Sequence, residues 1–107
     1  MITDIDRFLQ ALERQLMVTA ENKSKAEEAE EYRKSLFSEL VNQSNQDSVA
    51  KAEHWARGHD TYKAATQKMI AAKTAFNVAN AKSEAMRIQW ETYRTERSFE
   101  KAQMSMV

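Results

Sequence analysis

The fold is decided by the stretch from Asp60 to Val107, which reads DTYKAATQKMIAAKTAFNVANAKSEAMRIQWETYRTERSFEKAQMSMV. It contains no proline, glycine or cysteine, and two sets of residues within it repeat every seven positions. These sets are Tyr62, Met69, Phe76, Ser83 and Trp90, and Ala65, Ala72, Ala79, Met86 and Tyr93. Alternating steps of three and four residues keep both sets on one side of a helix, which we call its seam. The pattern therefore predicts a long, coiled-coil-like helix that packs against another helix.

A partner for this helix is predicted at the start of the chain, where Thr3 or Asp4 can cap the first turn. Between the two helices, the polar residues 42–47 favour a turn, and Gly58 is expected to end a short helix with a positive φ before Asp60 caps the next one. The apolar side of the first helix is expected to contain Ile5, Leu9, Leu12, Leu16, Ala20, Ala26, Ala29, Tyr32, Leu36, Phe37 and Leu40.

The expected fold class is all-α. We predict a single domain, residues 1–107, folded as a long antiparallel helical hairpin with a short helical elbow. The three helices are expected at residues 4–41, 48–56 and 61–103.

A second apolar row on the last helix lies opposite the seam and contains Ile70, Ala71, Val78, Ala81, Ala85 and Ile88. A helix that is apolar on two sides is normally buried on two sides, and a hairpin can cover only one of them. We therefore predict a homodimer that forms a helical bundle. Its interface would contain Ile70, Val78, Ala81, Ala85 and Ile88. The alternative is that the alanines of this row serve only as good helix formers.

Composition places the chain among folded, water-soluble proteins. Hydrophobic residues make up 42% and charged residues 30% of the chain, too apolar for a disordered one. No apolar run approaches the ~20 residues that cross a bilayer, and Asp4 and Asp6 precede any basic cluster that could begin a signal peptide. With no cysteine, nothing contradicts a reducing compartment. We expect a cytoplasmic protein with no membrane partner.

Catalytic motifs are missing from the sequence. His54 and His59 are five residues apart, whereas two metal ligands on one helix face are three or four apart. The sequence also contains no glycine-rich phosphate loop and no nucleophile elbow. We expect no enzymatic activity, no catalytic residues, no metal and no cofactor.

The elbow offers a candidate protein-binding surface. His54, Trp55, Arg57 and His59 gather an aromatic ring, a guanidinium and two imidazoles where the chain turns. Aromatic residues and arginine are enriched in the hot spots of protein interfaces. We predict that these four residues bind a partner protein. The alternative is that Trp55 folds inward and fills the open end of the hairpin.

The end of the last helix offers a candidate nucleic-acid-binding surface. The basic residues Arg87, Arg94, Arg97 and Lys101 cluster there, with Trp90, Tyr93 and Phe99 among them. This composition could follow phosphates and stack on bases. Against this, the net charge is zero and Trp90 and Tyr93 lie on the seam. Residues 1–47 carry ten acidic and six basic side chains, and residues 48–107 the reverse, so the two arms can attract each other. Single-stranded nucleic-acid binding is therefore the alternative function.

Residues 48–102 resemble a known group of phage proteins. The matching pattern is Ser48-Val49-Ala50-Lys51-Ala52-Glu53, then Asp60-x-Tyr62, the alanine repeats, and Trp90-Glu91-x-x-Arg94-x-x-x-Ser98. It is similar to small α-helical proteins of the early and recombination regions of tailed phages. The resemblance implies a protein of the host-cell cytoplasm that binds a host or phage protein, as a recombination accessory or an inhibitor of a host defence protein.

The secreted WXG family is also similar, because its hairpin has tryptophan and glycine at the turn. Here Trp55-Ala56-Arg57-Gly58 is one residue too long for that motif. Tyr93 is followed four positions later by Arg97, where the export signal of the family has an acidic residue. We therefore set this family aside.

Overall fold

Three helices form the fold in the computed structural model, which describes residues 3–106. Helix α1 spans Asp4–Gln43, α2 spans Val49–Gly58 and α3 spans Asp60–Ser105. The described residues are 92% helical and contain no strand, and α1 packs on α3. The predicted all-α helical hairpin is confirmed, with each helix boundary within two residues of its predicted position.

Helices α1 and α2 begin with side-chain caps. The hydroxyl of Thr3 accepts a hydrogen bond from the Asp6 N–H at 3.1 Å, and the Asp6 carboxylate accepts one from the Thr3 N–H at 3.2 Å. Thr3 is therefore the cap of α1, in a reciprocal arrangement that satisfies two backbone donors at once. The Ser48 hydroxyl accepts from the Lys51 N–H at 3.2 Å and caps α2.

The junction between α2 and α3 differs from the prediction. No described residue has a positive φ, so Gly58 is an ordinary last residue of α2. His59 turns the chain instead, with an extended backbone at φ −73° and ψ 136°. Its Nδ1 accepts from the Thr61 N–H at 3.2 Å, so His59, and not Asp60, caps α3. A single extended residue therefore connects α2 to α3 without the left-handed conformation that favours glycine.

The chain divides into two compact units. We call residues 20–77 the elbow unit, because they contain α2, and residues 3–19 with 78–106 the terminal unit. Each unit takes one segment of α1 and one of α3.

The core of the elbow unit combines small apolar residues with one arginine. The buried side chains are Ala26, Leu40, Ala52, Ala56, Ala65 and Met69. The Arg33 guanidinium donates through Nε to the Thr66 hydroxyl at 3.0 Å and lies 5.1 Å from the centre of the Tyr62 ring. Phe37 contacts the same ring, with centroids 5.5 Å apart. Arg33 can therefore occupy a seam position, because the Thr66 hydroxyl accepts a hydrogen bond from its guanidinium and the face of the Tyr62 ring attracts its positive charge.

The core of the terminal unit contains a polar layer. Ser83 is 2% exposed, and its hydroxyl lies 2.6 Å from the Thr19 hydroxyl. The Gln15 side-chain amide donates to the Ala79 carbonyl at 3.1 Å, which the Thr19 hydroxyl also approaches to 3.1 Å. The described residues contain no buried side-chain nitrogen or oxygen without a hydrogen bond. The layer is therefore fully satisfied, as a buried polar group requires.

The predicted seam of α3 is confirmed, but that of α1 is partly wrong. On α3, both repeating sets are buried or half-buried. On α1, Ile5, Leu9, Leu16 and Tyr32 were expected inside but are 38%, 37%, 42% and 58% exposed, and Ala20 is exposed as well. The other expected positions, Leu12, Ala26, Ala29, Leu36, Phe37 and Leu40, are buried or half-buried as predicted. Half-buried positions that were not expected inside include Phe8, Gln15, Thr19, Asn22 and Arg33. Hydrogen bonds to α3 allow Gln15, Thr19 and Arg33 to take seam positions that hydrophobicity alone would not assign to them.

Candidate protein-binding surfaces

Helix α2 turns its alanines inward and leaves Trp55 partly exposed. Ala52 and Ala56 are 7% and 0% exposed, whereas Trp55 is 38% exposed. Because 52 and 56 are one helical turn apart, they share the buried side of α2, and Trp55 lies beside that side. The two alanines therefore fill the inner side of the elbow, and Trp55 keeps more than a third of its surface in solvent.

Two open clefts flank Trp55 in the elbow unit. The first has a volume of about 430 Å³ and is lined by His54, Trp55, Gly58, His59 and Asp60. The second, about 350 Å³, is lined by Gln46, Ala50, Lys51, His54 and Trp55. The indole packs with its edge against the His59 imidazole, with ring centroids 5.3 Å apart. Trp55 is thus held in place from one side while it forms a wall of both clefts.

The other predicted elbow residues divide into two groups. The Arg57 guanidinium lies 5.4 Å from the centre of the Phe37 ring and 3.4 Å from the Glu53 carboxylate, so it packs against its own unit. His59 is the cap of α3. His54 is exposed and lines both clefts together with Trp55. Arg57 and His59 therefore contact residues of their own unit, although the Arg57 side chain is still 60% exposed, and His54 and Trp55 are also exposed.

The second apolar row of α3 is exposed to solvent. In the elbow unit, Ile70 is 54% exposed. In the terminal unit, Val78 and Ile88 are each 65% exposed, and Ala81 and Ala85 are exposed as well. We call Val78, Ala81, Ala85 and Ile88 the outer face of α3. Its apolar side chains contact water because the seam of α3 lies on the other side of the helix.

A groove beside Trp90 was not predicted from the sequence. It lies in the terminal unit, has a volume of about 720 Å³, and has the apolar lining residues Leu12, Leu16, Ile88 and Trp90. A smaller groove of about 400 Å³ is lined by Asp4, Ile5, Phe8, Gln89, Trp90 and Tyr93. The sequence feature that could have predicted these grooves is the number of apolar residues at the start of α1, which is larger than one seam can bury.

The basic residues near the end of α3 are paired within their own helix. Arg87, Arg94 and Arg97 lie 3.1, 3.5 and 3.7 Å from the carboxylates of Glu84, Glu91 and Glu100. These ion pairs are well exposed, so each contributes little to stability, but each places a negative charge beside a guanidinium. Lys101 is also exposed. On the surface predicted to attract phosphates, each of the three arginines therefore has one glutamate carboxylate beside it.

Residues 3–106 contain no group of three or more histidine, cysteine, aspartate or glutamate side chains that could hold a metal ion. Over the same residues, no helix has an apolar stretch of the length that a bilayer requires.

No protein-family model, curated protein or solved structure matches this chain. A functional proposal therefore depends on the chemistry of its own surfaces.

Proposed function

We propose that the chain is a non-enzymatic protein-binding module that contacts its partner through Trp55. The observation that carries this proposal is the exposure of Trp55, at 38%, on a helix whose inner side is already filled by Ala52 and Ala56. A partly exposed tryptophan that the core does not need is typical of an interface hot spot, because burying it in a complex removes a large apolar surface from water.

The surroundings of Trp55 define the chemistry of the partner. The clefts on its two sides can each receive a side chain, and the indole between them offers a flat apolar wall. The indole also carries one N–H donor, which can hydrogen-bond to an acceptor on the partner. The proposed partner segment therefore presents an apolar side chain next to a carbonyl or carboxylate oxygen.

The biological role that we propose comes from the phage resemblance. As a small helical protein of the phage type, the chain would bind a host or phage protein in the host-cell cytoplasm. It would act either as a recombination accessory or as an inhibitor of a host defence protein.

The test compares Trp55→Ala with Tyr32→Ala. Tyr32 is also an exposed aromatic residue of the elbow unit, at 58%, but it lines neither cleft beside Trp55. A protein captured by the wild type from bacterial lysate is purified, and its affinity for the wild type and both variants is measured by calorimetry. We expect Trp55→Ala to weaken binding at least tenfold, on the order of 1.4 kcal/mol or more, and Tyr32→Ala to bind like the wild type.

Two controls complete this experiment. Trp55→Phe should retain part of the affinity, because it keeps an apolar ring but loses the N–H donor. Circular dichroism should give the same helix content for all variants. Equal binding by Trp55→Ala and the wild type would refute the role of Trp55, and so would an equal loss with Tyr32→Ala.

Nucleic-acid binding is the outcome that would replace this proposal. If Arg87, Arg94, Arg97 and Lys101 bind single-stranded DNA, fluorescence anisotropy should show an affinity that falls steeply with salt. The double variant Arg94→Gln and Arg97→Gln should then bind more weakly and with a shallower salt dependence. We expect no salt-sensitive binding by the wild type, because Glu91 and Glu100 already pair with these two arginines.

A further inference from the structure

We infer that the outer face of α3 packs against the same face of a second copy of the chain, with the two α3 helices antiparallel. Val78, Ala81, Ala85 and Ile88 are separated by steps of three, four and three residues. This spacing reads the same in both directions and is centred on residue 83. A two-fold dimer requires such a self-complementary surface, because each copy presents the same residues to the other.

The symmetric spacing also matches residues by size. With the two-fold axis beside residue 83, Val78 faces Ile88 of the second copy, and Ala81 faces Ala85 of the second copy. The small pairs lie at the centre, where two crossing helices come closest, and the β-branched pairs lie towards the ends, where the helices diverge. Large side chains therefore fill the wider gaps, and alanines allow the close approach.

The outer face of α3 is free for this contact because α1 uses the opposite face. At the centre of the pattern, Ser83 is 2% exposed and its hydroxyl lies 2.6 Å from that of Thr19 on α1. Ala79, also on the seam, is 7% exposed. Val78 and Ile88, in contrast, are each 65% exposed. A second copy can therefore cover the outer face without displacing any contact between α1 and α3.

The size of the outer face indicates a reversible dimer. A standard stable interface buries about 800 Å² of each subunit. The segment from Val78 to Ile88 is only about 15 Å long at ~1.5 Å per residue, so it supplies part of that area. We therefore expect monomer and dimer to exchange at micromolar concentrations.

The charges beside the outer face give the dimer a distinctive salt dependence. The two-fold axis places Lys82 near Lys82 of the second copy along one edge, and Glu84 near Glu84 of the second copy along the other. Arg87 partly offsets the second pair, because its guanidinium lies 3.1 Å from the Glu84 carboxylate. Salt screens repulsion between like charges. Dimerisation should therefore strengthen when salt is added, whereas association driven by opposite charges would weaken.

Disulfide cross-linking tests the pairing directly, because the natural chain contains no cysteine. We use Val78→Cys and Ile88→Cys, each as a single variant of the full chain, under mild oxidation. In the proposed dimer, position 78 lies beside position 88 of the second copy but about 15 Å along the axis from position 78 of that copy. A disulfide requires α-carbons within about 7 Å. An equimolar mixture of the two variants should therefore form the mixed disulfide dimer, and each variant alone should remain mostly uncross-linked.

Each alternative result overturns the inference. Efficient cross-linking of Val78→Cys with itself would show parallel helices or a different register. No cross-linking in the mixture, with a monomer by light scattering across the micromolar range, would show that the outer face is not a dimer interface.

Tyr32→Cys serves as the control for random collision. The variant Val78→Glu with Ile88→Glu should be monomeric with an unchanged circular dichroism spectrum, since both side chains are exposed in one copy. None of these measurements involves the partner proposed for Trp55.

Discussion

Helices α1 and α3 contribute different chemistry to the surfaces through which they pack. The seam of α3 is mostly apolar, and four of its residues, Ala65, Met69, Ala79 and Ser83, are between 2% and 8% exposed. The seam of α1 includes Gln15, Thr19 and Arg33, each of which forms hydrogen bonds to α3. Helix α3 therefore contributes small side chains and the Ala79 carbonyl, and α1 contributes polar side chains that hydrogen-bond to α3.

This difference indicates how two long helices with a repeating apolar seam can keep one alignment. Apolar heptads tolerate a shift of one helical turn, because each knob finds another hole of similar shape. A hydrogen bond between Thr19 and Ser83 exists in only one alignment. We infer that the polar layer determines the register of the hairpin in the terminal unit, while the apolar seam supplies most of the free energy of unfolding.

The largest effect should follow from truncating the apolar seam of α3. Met69 is 8% exposed, and Met69→Ala should lower the free energy of unfolding by about 2–5 kcal/mol, because it leaves a cavity in the core of the elbow unit. Chemical denaturation followed by circular dichroism measures this loss. Met17, at 66% exposed, is the matched control, and Met17→Ala should change stability by less than about 0.5 kcal/mol. Similar losses in both variants would contradict the assignment of the seam.

The polar layer should respond in a different way. Thr19→Val alone leaves the buried Ser83 hydroxyl without its partner and should cost about 1–3 kcal/mol. Ser83→Ala alone should cost less, since the Thr19 hydroxyl keeps the Gln15 and Ala79 carbonyls as acceptors. The double variant should be more stable than the sum of the two losses indicates, because no hydroxyl is then left unpaired. Additive losses in this double-mutant cycle would show that the two hydroxyls do not interact.

Much of the fold could be predicted from the sequence, because the heptad pattern of α3 shows which of its residues pack against another helix. Residues 61–107 contain no helix breaker, and large and small apolar residues follow the heptad positions. The seam of α1 could not be predicted in the same way. Ile5, Leu9 and Leu16 are more hydrophobic than Gln15 and Thr19, so a hydrophobicity pattern assigns them to the core. Gln15 and Thr19 take seam positions instead, because the small residue Ala79 leaves its carbonyl within their reach.

The candidate site was only partly predictable for a related reason. The sequence identified the elbow residues but left open whether Trp55 fills the hairpin or faces solvent. That choice depends on which side of the short helix α2 packs inward. The side with Ala52 and Ala56 is compatible with a core position, and so is the side with the ring of Trp55. In the structure the alanines take the inner side, so Trp55 is partly exposed. The contact of Arg57 with Phe37 joins residues that are distant in sequence, and the cap formed by His59 uses a side chain that is not among the preferred capping residues.

The polar cap at the start of α3 should contribute less to the free energy of unfolding than the apolar seam does. His59→Ala removes the acceptor of the Thr61 N–H and should lower the free energy of unfolding by about 0.5–2 kcal/mol. His59→Asn should restore most of that loss, because asparagine is among the best capping residues. Thermal denaturation of the three proteins distinguishes these outcomes. If asparagine and alanine destabilise equally, the imidazole acts through its contact with Trp55 and not as a cap.

The smallest effect is expected at Gly58, and it should have the opposite sign. Gly58 ends α2 without a positive φ, and a Cβ added there meets no atom within 4 Å. Gly58→Ala should therefore raise the free energy of unfolding by about 0.4–1 kcal/mol, mainly because alanine restricts the unfolded chain.

Gly58→Asn tests the backbone conformation behind this prediction. In a left-handed conformation, asparagine is tolerated better than alanine, whereas in a right-handed helix alanine is the better residue. We therefore expect the order of stability to be alanine, then asparagine and glycine, in denaturant titrations under identical conditions. If asparagine stabilises the protein more than alanine does, Gly58 has a positive φ in solution, and the turn into α3 depends on glycine instead of on His59.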